Sequence, residues 1–124
     1  MERQLNVMRQ ILGLADTMQE GIDHIHERHL SGYGPETTVS LFADVVHAFA
    51  EIETVIYQTA PTLKDADELA AQAESLREGF RWMTTAYGGA SDMTPMVTLN
   101  LTVRPRFRAW HQALREVMRP YVSS

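Results

Sequence analysis

The chain has 124 residues, 44% hydrophobic and 22% charged, with a formal net charge of −5 and an isoelectric point near 5.4. This composition suits one globular domain and makes nucleic acid a poor partner, because phosphate neutralisation dominates such binding. Cysteine is absent, which excludes disulfides and thiolate metal sites; no apolar run is long enough to span a membrane, and Met1-Glu2-Arg3-Gln4 lacks the order of a signal peptide, so a cytoplasmic location is expected.

Four segments carry apolar residues at alternating steps of three and four, the spacing of amphipathic helices. The first is expected over residues 3–30, with Leu5, Met8, Leu12, Ala15, Met18 or Gln19, Ile22, Ile25 and His29 inward. Gly13 and Gly21 lie inside it, each costing about 1 kcal/mol against alanine, so it is the helix most prone to bend. Ser31-Gly32-Tyr33-Gly34-Pro35 ends it, glycine suiting a C-terminal cap and proline the first position of the next helix. The second helix is expected over residues 35–58, with Phe42, Val45, Val46, Phe49, Ile52 and Ile56 inward.

Ala60-Pro61-Thr62 breaks the chain, and Thr62 with Asp65 has the pattern of a helix start. The third helix then runs to Tyr87 on a stripe of Ala66, Leu69, Ala73, Leu76, Phe80, Met83 and Tyr87, and Gly88-Gly89 stops it. The fourth starts near Asp92 or Thr94-Pro95 and carries Met96, Leu99, Val103, Phe107, Trp110, Leu114, Val117 and Tyr121. Residues 97–103 also alternate apolar and polar as a strand does. A lone strand would leave its backbone unpaired, so helix is preferred, with a kink at Pro105. The expected fold is all-α: a single-domain antiparallel four-helix up-and-down bundle, each helix about 35–42 Å long.

Histidines supply the first candidate site. His24, His26 and His29 share one window, and Asp23…His26 and Asp44…His47 have a spacing that lets two side chains grip one ion. Di-iron bundles use such pairs facing inward. Here Asp44 and His47 fall opposite their helix's apolar stripe, Asp23 points away from its core, and no carboxylate sits on the third or fourth stripe. His26 and His29 therefore remain as candidates for a metal or small-ligand site, against the plainer reading that His29 caps the core.

Charge supplies the second candidate. Residues 1–92 hold six basic and fifteen acidic residues, whereas residues 93–124 hold five and one. Arg104, Arg106 and Arg108, with Arg115 and Arg119 beyond, read either as a face for an acidic partner or anion, or as internal partners of Glu74, Glu78, Asp65 or Asp67. Surplus apolar rows come third: Val7, Ile11 and Leu14; Leu41, Val45, Ala48, Ile52 and Val55; and Ala71, Ser75, Gly79, Trp82 and Ala86. They widen the core or form a partner surface, with Trp82 as anchor. No nucleophile–base pattern or phosphate cradle occurs, so neither an enzyme nor a cofactor is expected.

The run from Leu41 to Glu53, with Arg104-Pro105-Arg106-Phe107-Arg108-Ala109-Trp110 and Arg119-Pro120-Tyr121, resembles small four-helix proteins of Bacillus-type bacteria whose function is unknown. That resemblance implies the fold and no site. In size and architecture the chain is also similar to bacterial flagellar export chaperones, which bind a helical segment of their cargo. The expectation is a non-catalytic interaction module, an adaptor or chaperone-like bundle able to self-associate as a homodimer, with a metal- or small-ligand-binding bundle as the alternative.

Overall fold

The computed structural model describes the backbone over residues 2–59 and 66–122. Helix α1 spans Glu2–Leu30, a 3-10 turn covers Pro35–Thr37, α2 spans Val39–Thr59 and α3 spans Ala66–Tyr87. Helix α4 is one run in three stretches: Pro95–Thr98, a π-helical turn at Leu99–Val103, and Arg104–Val122. This is an antiparallel all-α four-helix bundle. No strand occurs among the described residues, so the alternating stretch 97–103 is helical. The break at Ala60-Pro61-Thr62 and the helix start at Thr62 and Asp65 lie outside the described residues.

Local chemistry sets the ends. Gly32 (φ 86°) and Gly89 (φ 75°) take the left-handed conformation that closes a Schellman cap. Tyr33 N–H bonds to Arg28 O at 3.0 Å and Ala90 N–H to Thr85 O at 3.2 Å, each across six residues. Pro35 opens a 3-10 turn, and α2 proper begins four residues later than the sequence pattern suggests. Thr94 caps α4 by accepting from Val97 N–H at 3.2 Å, with Pro95 in the first turn.

The distortion expected at Pro105 is a π turn just before it. Arg104 N–H reaches Leu99 O, five residues back. Pro105 has no N–H, and its ring needs room beside the carbonyl of Leu101, four residues back, so the wider turn accommodates it. The extra residue also rotates the start of α4 by about 100° relative to an unbroken helix. Pro95 and Thr98 are consequently buried, and Met96, expected inward, is 39% exposed.

One core unites all four helices. Trp110 is its largest fully buried side chain, joined by Met8, Ile11, Ile52, Leu76, Met83 and Leu114. Helix α1 lies against α2 on one side and α4 on the other, and α3 lies against α4. The surplus rows on α1 and α2 are used in this packing, whereas Ala71 and Trp82 of the α3 row are exposed. Ile11 and Val45 are buried, and Val7, Leu14, Leu41, Ala48 and Val55 pack against the core. Ser75 and Gly79 let α4 approach α3: a Cβ on Gly79 would lie 3.0 Å from Arg106 Cδ. No described helix is long and apolar enough to cross a membrane.

Candidate functional site

Helices α2 and α3 meet differently from the other neighbours. Towards one end their seam is closed by aromatic edges: Phe42 and Phe49 each stand edge-on to Phe80, at 5.7 Å and 5.4 Å, and Phe49 meets Trp110 at 5.2 Å. Arg77 of α3 then ties the helices together at the surface by pairing with Glu53 of α2 as well as with Glu74. Beyond this clasp the helices part, leaving an open groove of about 590 Å³. Leu69, Ala73 and Trp110 line its depth, and Ile56, Tyr57, Ala70 and Asp67 line its walls and rim. Small residues on α3 make the space, since Ala70 and Ala73 stand where larger side chains would close it. Tyr57 is 83% exposed beside it.

The charged residues lining the groove are Glu53, Asp67 and Arg77. Helix α2 contains Asp44, Glu51 and Glu53 and no lysine or arginine. The first half of α3 carries Asp67, Glu68 and Glu74, of which Asp67 lines the groove, before its first cation at Arg77, which is already paired. An apolar trough with a carboxylate on each margin is suited to an amphipathic segment with basic flanks.

The histidine window lies near the opposite end of that seam. His29 is buried with its Nε2 3.1 Å from Thr38 Oγ1, and Thr38 Oγ1 is 2.8 Å from Tyr87 OH. Thr38 donates its one proton to Pro35 O at 3.1 Å, so it accepts from both neighbours. His29 then carries its proton on Nε2, and its Nδ1 is buried without a partner, as is Nδ1 of the half-buried His26. Burial, with a smaller contribution from His26, holds the His29 pKa below its ordinary value. Burial likewise raises the Tyr87 phenol, partly offset by its bond to Thr38. His24 and His47 are exposed. Among the described residues, no three histidine, aspartate or glutamate side chains gather in a way that could hold a metal ion.

The arginine row divides. Arg106 donates through Nη1 to Ser75 O at 3.1 Å and Ser75 Oγ at 3.0 Å, bracing α4 on α3. Arg104 donates to Asn100 Oδ1 at 3.1 Å and stands 4.0 Å from Asp23 of α1. Their partners are thus Ser75, Asn100 and Asp23 rather than the α3 carboxylates. Arg108 is exposed and forms no ion pair among the described residues. Trp82 is 52% exposed, one turn beyond Gly79 on α3, and does not line the groove.

Sequence reasoning missed the groove, because a stripe reports which way a residue faces and not how far two helices stand apart. It also missed His111, which is buried between α1 and α4. A signal existed: position 111 lies four after Phe107 and three before Leu114, on the edge of the same stripe. Against known proteins, a family model described as a domain of unknown function (DUF8042) matches residues 6–113. No curated protein and no solved structure matches the chain.

Proposed function

We propose that this chain, which belongs to the DUF8042 family, is a non-catalytic protein-interaction module that receives a basic amphipathic helix of a partner in the groove between α2 and α3. The observation that carries this reading is the open apolar groove of about 590 Å³ with Glu53 on its α2 margin, paired with Arg77, and Asp67 on its α3 margin. A helix laid there covers Leu69, Ala73 and the exposed ring of Tyr57, while its lysines or arginines face Glu53 and Asp67. Trp82, half exposed on the same helix, is a second anchor for the partner or for a second copy of the chain.

Ala70→Arg tests the reading. Position 70 is exposed and lines the groove, so arginine there fills the trough and repels basic flanks without touching the core. The expected result is unchanged thermal unfolding and loss of a partner that the wild-type protein retains from a lysate of its source cells. A partner held equally by both proteins counts against the groove. Trp82→Ala is expected to weaken the same association with the fold intact.

The alternative, a metal- or small-ligand site at His26 and His29, draws on their two buried, unpartnered Nδ1 atoms. It predicts stoichiometric metal in protein purified without chelator and its loss in His26→Ala. A metal-free preparation removes it.

A further inference from the structure

We propose that the cleft between α1 and the C-terminal half of α4 binds a small ligand bearing two or more phosphoryl groups, held by Arg108 and Arg115. This site is on other helices than the groove and does not depend on it. The cleft is open to solvent, with a volume of about 340 Å³, and is lined by Gln19 of α1 and by Arg108, His111, Gln112, Arg115 and Glu116 of α4.

Positions 108, 112 and 115 repeat at four and three, so they form one ladder along α4, about 10 Å long at the helical rise. Neither Arg108 nor Arg115 forms an ion pair among the described residues, in contrast to Arg104 beside Asp23. Two carboxylates border the cleft: Glu116, which accepts from Gln112 Nε2 at 3.4 Å, and Asp16 at its edge. Arg108 and Arg115 share the cleft with these two carboxylates, in the part of the chain, residues 93–124, that holds five basic residues and one acidic one. Guanidinium forks match phosphoryl oxygens two at a time, and a ladder longer than one phosphate matches a ligand with several.

A second observation is independent of the arginines. The His111 side chain is about nine-tenths buried in the cleft wall, and its Nε2 has no hydrogen-bond partner. It stands 3.6 Å from Asp16 Oδ1, outside hydrogen-bond reach. The groups facing it are Asp16 and Gln19 from α1 and Arg108, Arg115 and Glu116 from α4. Burial and the Arg115 cation oppose its protonation, and Asp16 favours it. An anion seated on Arg115 cancels the repulsion, so binding and protonation of His111 reinforce each other. A peptide occupant is disfavoured because the cleft lacks the exposed apolar anchors that the α2–α3 groove offers.

The test is calorimetric titration with pyrophosphate and tripolyphosphate at about 0.15 M salt, where diffuse surface attraction is screened. Saturable one-to-one binding is expected, weakened about tenfold by Arg108→Gln or Arg115→Gln and changed less than about twofold by Arg104→Gln, which removes the same charge elsewhere on α4. The His111 ring resonances should titrate at higher pH with tripolyphosphate than without. Replacing tripolyphosphate by ATP separates the sources: equal affinity assigns the inorganic chain, and tighter ATP binding assigns a nucleotide. Three results overturn the proposal: no saturable binding of any of these anions, equal losses in Arg104→Gln and Arg115→Gln, or tighter binding of an oligoglutamate peptide than of tripolyphosphate.

Discussion

Gly21 of α1 faces Val45 of α2 so closely that a Cβ at position 21 would lie 2.7 Å from Val45 Cγ2. The contact explains why a residue unfavourable to helices sits in the middle of α1. It brings the two backbones together and lets the second apolar rows of both helices interlock. Gly13, on the same helix, has nothing within 4 Å of a Cβ position and is exposed.

The two glycines should therefore respond oppositely to alanine. Gly13→Ala is expected to stabilise the protein by about 0.5–1 kcal/mol through helix propensity. Gly21→Ala is expected to destabilise it by about 1–3 kcal/mol, as overpacking at the α1–α2 contact outweighs the same gain. Urea unfolding of both variants measures the difference, and equal stabilisation would show that the close approach is absent.

The arginines of α4 separate in the same experiment. Arg106→Ala removes a charge-assisted bond to Ser75 and the stem packed on Gly79, with an expected cost of about 1.5–3 kcal/mol. Arg108→Ala touches no internal partner and should fall within about 0.5 kcal/mol of wild type. Matching effects would mean that the row is not divided between bracing and surface.

Acid should weaken the fold through two histidines. His29 and His111 both have folded-state pKa values below 6.5, chiefly because burial opposes their charged forms. Their neutral forms are favoured by folding, so their contribution is complete above the unfolded value. It falls as pH drops below 6.5, where the unfolded chain takes up the protons first. Urea midpoints are expected to decline from pH 7.5 to 5.5 in the wild type and to decline less in His29→Gln/His111→Gln. Parallel declines would assign the acid sensitivity to other groups.

Tyr87→Phe probes the hydrogen-bonded end of the bundle. It leaves Thr38 without its 2.8 Å partner while keeping the ring against Phe42, at an expected cost of about 1 kcal/mol. A neutral substitution would show that the hydroxyl is satisfied by water instead.

Most of the fold is written in helical spacing. The described residues of the stripes on α2, α3 and the C-terminal part of α4 are buried or, like Val46, Ile56, Tyr87 and Tyr121, packed against the core, and Gly32, Gly89 and Thr94 mark real helix ends. The pattern misleads where geometry departs from a regular helix. Met96 reads as inward only if α4 winds evenly, and the π turn before Pro105 shifts the register by one residue. Ile11 and Ser75 read as surplus because a single-helix projection does not show a second neighbour; α2 and α4 are those neighbours. The groove was not legible at all. It depends on the distance between α2 and α3 beyond Arg77–Glu53, which only the packed bundle sets.

The most direct test of the interaction reading is a photo-crosslinking residue at position 70, used in the source cells, with the attached peptide identified by mass spectrometry. The account predicts a crosslink to a partner segment with apolar residues at steps of three and four and basic flanks, lost when Tyr57→Arg is added. No crosslink, or a crosslinked segment with acidic flanks, would contradict it.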